Sequence, residues 1–221
     1  MTTAAHPVPG LSEVARTGGL LAAIVVHNLI YPLSTWGGLW PALFYIFYAT
    51  MFVVATWLLT SDRRLHLAAL ATGSTVFLAG MVNSYTPSSG AALMVYLTSI
   101  AYHLVIIAVL ARYTFTSRKV LTEVLLAATS LYLVLGSIFA AIYGVILWID
   151  PNAFVSSLGH DVEWQELLYY SYVTLNTLGY GDILPATFHA QAFAAFEAII
   201  GTLYTVLLLS RLVGMHASGG S

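Results

Sequence analysis

The chain has no cysteine, which excludes both a disulfide framework and a thiolate metal site. Charge is nearly as scarce. Asp, Glu, Lys and Arg make up 7% of the residues and hydrophobic types 59%, whereas average soluble domains carry about 25% charge. A surface so poor in charge does not keep a globular protein dissolved in water. No P-loop, no Gly-x-Ser-x-Gly elbow and no Ser-His-Asp constellation is present, so no enzymatic activity is expected. The histidines show neither His-x-x-x-His nor Glu-x-x-His spacing, which leaves metal or haem ligation without a spacing signal. No internal repeat is found, and the only low-complexity stretch is the tail Ala217-Ser218-Gly219-Gly220-Ser221.

What is abundant is apolar length. Crossing a bilayer takes about 18–20 predominantly apolar residues, and runs approaching or exceeding that occur at Gly18–Leu33, Leu39–Thr60, Leu65–Val82, Ala91–Ala111, Val120–Ile149 and Phe188–Val213. The first is the weakest, because it holds His27 and Asn28 and stops at Pro32; a helix starting nearer Leu11 makes it long enough. Loop-like connectors follow the first run (Ser34-Thr35-Trp36-Gly37-Gly38) and the third (Thr86-Pro87-Ser88-Ser89-Gly90). The expected fold is an all-α membrane protein with six transmembrane helices.

The basic residues orient it. Arg16, Arg63, Arg64, Arg112, Arg118, Lys119 and Arg211 all fall on one side of the predicted spans, and the opposite connectors hold none. The positive-inside rule then puts both termini in the cytoplasm. Trp36, Trp40, Trp148 and Trp164 cluster at the outer interface, as an aromatic belt does. The outer segments carry Asp150, Asp161, Glu163, Glu166 and Asp182, an acidic rim whose field would concentrate cations. His160 and His189 lie beside this rim, where imidazole titration near neutrality offers a response to external pH.

Between the last two spans the chain reads Thr177-Leu178-Gly179-Tyr180-Gly181-Asp182. This run resembles the selectivity filter of potassium channels, and the order long helix, outer loop, short helix, filter, long helix from Val120 to Val213 is similar to their pore domain. A K⁺ ion that sheds its water must meet oxygens at hydration-shell spacing, which rings of backbone carbonyls supply. Pointing successive carbonyls one way needs alternation between ordinary and left-handed dihedrals, and Gly179 and Gly181 take positive φ at little cost. The resemblance implies K⁺ sites at Thr177, Leu178, Gly179 and Tyr180, with no other cofactor. It also implies a re-entrant pore helix over Glu163–Asn176 and a homotetramer, since one filter strand per chain cannot form a ring.

The resemblance extends to filter support by Asp182, Tyr169, Tyr170, Thr174, Asn176 and Glu197. Tyr169 and Tyr170 stand where many family members have a tryptophan pair, and Tyr169 is placed to reach Asp182. Val173 replaces a glutamate of some bacterial relatives, Asn176 a commoner threonine, and Leu178 a valine. Glu197 is the one acid deep in a span, where it needs a partner; Asn176 is a candidate. Gly201 falls at the family's hinge position, or else admits close helix packing. Thr202 and Thr205 are expected to face a water-filled cavity, with Leu209 and Val213 as an apolar constriction.

The first four spans are not those of a voltage sensor. Ala91–Ala111 contains no Lys or Arg, whereas sensing needs several charges in the field, each worth about 2.3 kcal/mol per 100 mV. The organisation read from this is a cytoplasmic segment (1–17), a four-helix scaffold without sensor charges (18–112), a pore domain (113–213) and a short tail (214–221). The expected function is passive K⁺ conduction across a plasma membrane with little voltage dependence, with lipid and K⁺ as partners and no nucleic acid. A weakly selective cation channel, or a non-conducting or haem-binding subunit, remain the alternatives at this stage.

Overall fold

A computed structural model describes residues 12–32, 37–117 and 122–219, with side chains through 211. It is helical almost throughout, in the order α1 (Glu13–Ile30), α2 (Trp40–Leu59), α3 (Arg63–Tyr85), α4 (Ser89–Thr116), α5 (Thr122–Ile149), β1 (Phe154–Ser156), α6 (Trp164–Leu175), β2 (Ile183–Pro185) and α7 (Phe188–Gly219). Among the described residues six helices are long and apolar enough to cross a membrane; α6, with 12 residues, is not.

The helix starts follow from capping chemistry. Ser12 Oγ accepts from Ala15 N at 3.2 Å, Asp62 Oδ1 from Arg64 N at 2.9 Å, and Ser88 Oγ from Ala91 N at 3.2 Å. Each satisfies one of the amides that a helix N-terminus leaves open. The Ser12 cap also settles the first span, which begins at Glu13 and so gains the length that Gly18–Leu33 lacked. Proline in the first turn of α2 costs nothing there, because its missing N–H has no intrahelical partner anyway.

Contacts divide the chain into two units, 1–134 and 135–221. In the first, α3 packs against both α2 and α4, and α1 against α2. Its centre is aromatic. Tyr102 is fully buried; its hydroxyl donates to Ala49 O and accepts from Val53 N. His27 stacks on Phe44 and Tyr48, with ring centroids 5.0 and 4.7 Å apart. His103 bonds Ser99 O at 2.8 Å through Nδ1, with Tyr48 OH at 3.3 Å from the same atom. Both imidazoles are therefore packed among aromatic rings. Arg112 closes an exposed ion pair with Asp62 at 3.4 Å, a contact of the kind that contributes little.

The second unit holds the carboxyl-terminal half of α5, the short α6, the two strands and α7. The strands pair antiparallel, with Phe154 opposite Pro185 and Ser156 opposite Ile183. Bonds from Ser157 N to Asp182 O and from Ala186 N to Ala153 O, both 2.8 Å, extend the pairing at each end. This small sheet is an element the all-helical expectation did not include.

Candidate pore site

The short helix runs Trp164–Leu175 with Glu163 as its N-cap and Asn176 as its C-cap. The expected bounds of 163–176 are thus the two caps. Glu163 and Glu166 form a reciprocal capping box, in which Glu163 N donates to Glu166 Oε2 at 2.8 Å. Two carboxylates also sit where the positive end of the macrodipole favours them. The other oxygen of Glu166 lies 3.7 Å from His160 Nε2. The ring's bond to Asp161 O, followed by the Glu166, Glu163 and Asp161 carboxylates, raises the His160 pKa above its usual value. His189 is exposed.

At its other end α6 unwinds directly into the motif. Asn176 N bonds Tyr172 O, Thr177 N bonds Thr174 O and Leu178 N reaches back to Val173 O at 2.9 Å. Thr174 and Val173 thus anchor the strand through their carbonyls, and Asn176 Nδ2 turns back onto Tyr172 O at 2.9 Å. Beyond this point φ alternates in sign. Thr177, Gly179 and Gly181 have φ of 55°, 57° and 79°, while Leu178 and Tyr180 between them stay negative. Gly179 and Gly181 were expected to be left-handed. Thr177 was not, although a period of two counted back from the glycines ends on it. It is the one non-glycine residue with positive φ among the described residues, a conformation that side chains rarely adopt. The strand is open to its surroundings in the single chain, with Leu178 59% and Tyr180 68% exposed.

The two tyrosines of α6 do different things. Tyr169 OH donates to Asp182 Oδ2 at 2.6 Å, and its ring stacks on Tyr180 with centroids 6.4 Å apart and planes at 3°. That bond lowers the Asp182 pKa and, with burial and the carboxylate charge, raises that of Tyr169 to about 12. Tyr170 instead turns inward and meets Tyr143 and Phe154 edge-on, with centroids 5.1 and 5.3 Å away. Tyr169 thus packs on the 177–182 segment, and Tyr170 on α5 and β1.

Behind α6, Glu197 is fully buried. It does meet a group of the short helix, but that group is Ser171 and not Asn176: Ser171 Oγ lies 2.5 Å from Oε1, and Tyr143 OH of α5 contacts Oε2. Asn176 closes the helix and spends its amide on Tyr172 O, whereas Ser171 sits on the buried side of α6 that faces α7. One turn beyond Glu197, a Cβ on Gly201 would strike the carbonyl oxygen of Leu175 and come within 3.1 Å of its side chain. A close approach therefore accounts for this glycine, without any need for bending. Tyr172 packs on Gly136, its hydroxyl 3.3 Å from Ser137 Oγ. Along α7, Thr202, Thr205 and Leu209 are exposed; the two hydroxyls bond Ala198 O and Gly201 O at 3.0 Å. Val213 falls outside the residues whose side chains are described.

Sequence reasoning missed Ser171, Tyr143 and the β1–β2 pairing. The strands were readable only as two short runs, Phe154-Val155-Ser156 and Ile183-Leu184-Pro185, too brief to separate from loop.

Residues 119–216 match a family model described as an ion channel. A 63-residue stretch, 28% of the chain, is 43% identical to a protein named two pore potassium channel c of Oryza sativa subsp. japonica. The match spans about one seventh of that relative, 14% of its length. No solved structure matches the chain. The comparisons thus support an ion channel domain over residues 119–216, in a chain whose described residues include six apolar helices of membrane-spanning length.

Proposed function

We propose that the chain is a subunit of a potassium-selective channel, four copies of which bring residues 177–181 together around a common axis. The observation that carries this reading is the alternation of φ at Thr177, Gly179 and Gly181. Successive residues of opposite hand turn consecutive carbonyls to the same side of an extended segment, whereas a regular β-strand points them alternately to opposite sides. Four such strands would present stacked rings of oxygens in place of water. Thr177, Leu178, Gly179 and Tyr180 supply those carbonyls, with the Thr177 hydroxyl below them. The Leu178 side chain points away from the ion path.

The surrounding residues take supporting roles. Asp182 and Tyr169 hold the outer end of the strand and Thr174 its inner end, while Tyr170 and Glu197 brace α6 from behind. The C-terminus of α6 directs partial negative charge toward the cavity, where a dehydrating cation is stabilised. Thr202 and Thr205 line that cavity, and Leu209 with Val213 closes it by dewetting. Asp150, Asp161, Glu163, Glu166 and Asp182 form the acidic outer mouth, and the basic residues on the other side of the spans favour cytoplasmic termini in a plasma membrane. With Arg112 as the sole Lys or Arg in α4, conduction depends little on voltage.

The test is K⁺ efflux from liposomes carrying the purified full chain. The account expects efflux that Ba²⁺ blocks and that Gly179→Ala abolishes. A leak indifferent to both would overturn it.

A further inference from the structure

The buried cluster around Glu197 holds more oxygen–oxygen contacts than an ionised carboxylate can fill with protons. Ser171 Oγ lies 2.7 Å from Gly136 O and 2.5 Å from Glu197 Oε1. Tyr143 OH makes the third contact, to Glu197 Oε2. The Gly136 carbonyl only accepts, and each hydroxyl has one proton to give. If Glu197 is ionised, two protons must serve three contacts. One pair of oxygens then faces lone pair to lone pair at hydrogen-bond distance, in a place where Glu197, Ser171 and Tyr143 are all fully buried. Sharing the single Ser171 proton does not remove the conflict, because both arms are as short as ordinary two-centre O–H···O bonds of about 2.7–2.8 Å or shorter.

One added proton resolves the count. With it on Glu197 Oε1, the carboxyl donates to Ser171 Oγ, Ser171 donates to Gly136 O, and Tyr143 donates to Glu197 Oε2. Every donor then has one acceptor, every contact one proton, and the cluster no net charge. The electrostatics agree. The partners of Glu197 are Ser171 from α6 and Tyr143 from α5, with Tyr170 of α6 packed edge-on against Tyr143; none of these is a cation. An unpaired buried carboxylate is among the costliest groups a protein can hold.

We infer that Glu197 is held as the neutral acid and acts as a positioning residue, its proton completing a relay from α7 through Ser171 of α6 to the Gly136 carbonyl of α5. The relay fixes α6 from behind at the level of its fifth-last residue, as the Gly201–Leu175 contact fixes its end. Its consequence for conduction rests on the reading of 177–181 as an ion path; the proton does not.

Infrared difference spectroscopy of the full chain in lipid bilayers, in neutral buffer, tests this. Wild type minus Glu197→Gln should show the carbonyl band of one protonated carboxyl. Glutamine keeps one donor for Ser171 and one acceptor for Tyr143, so this variant should retain K⁺ flux within about twofold, while Glu197→Leu, which keeps neither, loses it. A difference spectrum without that band, or a glutamine variant as impaired as the leucine one, overturns the proposal. The band in a wild-type protein that conducts nothing would uphold the proton and defeat the channel reading alone.

Discussion

Tyr169 and Asp182 are joined by a 2.6 Å hydrogen bond that ties α6 to the far end of the 177–181 segment. The phenol donates, so the bond favours the ionised carboxylate and lowers the Asp182 pKa. The sign follows. The tie is fully present above the ordinary carboxylate range and is lost as pH falls through the lowered Asp182 value. Tyr169→Phe removes it at every pH. In that variant Asp182 should titrate closer to an ordinary aspartate, read by carboxyl NMR of the reconstituted chain; an unmoved midpoint would show that the bond does not form in the membrane.

Gly201 faces the carbonyl of Leu175 too closely to admit a methyl group. The obstacle is backbone, which cannot swing aside as a side chain does. Gly201→Ala should therefore displace the end of α6 and cost about 1–3 kcal/mol, the usual range for overpacking. Thermal unfolding in detergent should show the loss, together with reduced flux. A variant with unchanged stability and altered opening alone would restore the hinge interpretation.

Ser171 offers a separate test of the buried Glu197 cluster. Ser171→Ala leaves a buried carboxyl and the Gly136 carbonyl without their shared partner, at a cost of about 1–3 kcal/mol. Ser171→Thr keeps the hydroxyl and should recover most of the stability. Equal losses in both variants, measured by thermal unfolding, would assign the effect to packing rather than to the hydrogen bond.

His160 faces the capping-box glutamate of α6 from the loop that precedes that helix. Its raised pKa means that the ion pair with Glu166 is complete below the ordinary histidine value and fades as pH rises through the raised one. Glu166→Gln keeps the cap, since glutamine serves at that position, but removes the charge. The His160 midpoint, followed by ring NMR, should then fall only in part, because the bond to Asp161 O contributes most. A midpoint that stays where it was would break the link.

Much of this was legible in the residues. Apolar length located the six spans, and the family resemblance bounded the short helix by Glu163 and Asn176, the two residues that cap α6. The left-handed glycines and the Tyr169–Asp182 bond came from a motif whose chemistry forces its geometry. What stayed hidden depended on contacts distant in sequence. Nothing local announces that Ser171 rather than Asn176 reaches Glu197, since the choice turns on which side of α6 faces α7. The β1–β2 pairing likewise joins residues 27 to 31 positions apart in three-residue segments, too short for periodicity to register. Thr177 was overlooked because its type argues against positive φ, and the period set by the glycines prevails over that preference.

The central claim is that the carbonyls of residues 177–180 replace the water around K⁺. The most direct measurement is the reversal potential of the reconstituted protein in a planar bilayer with K⁺ on one side and Na⁺ on the other. The account predicts reversal far from zero, in the direction set by K⁺, and collapse of that offset or of the current in Gly179→Ala. A robust current reversing near zero would contradict it.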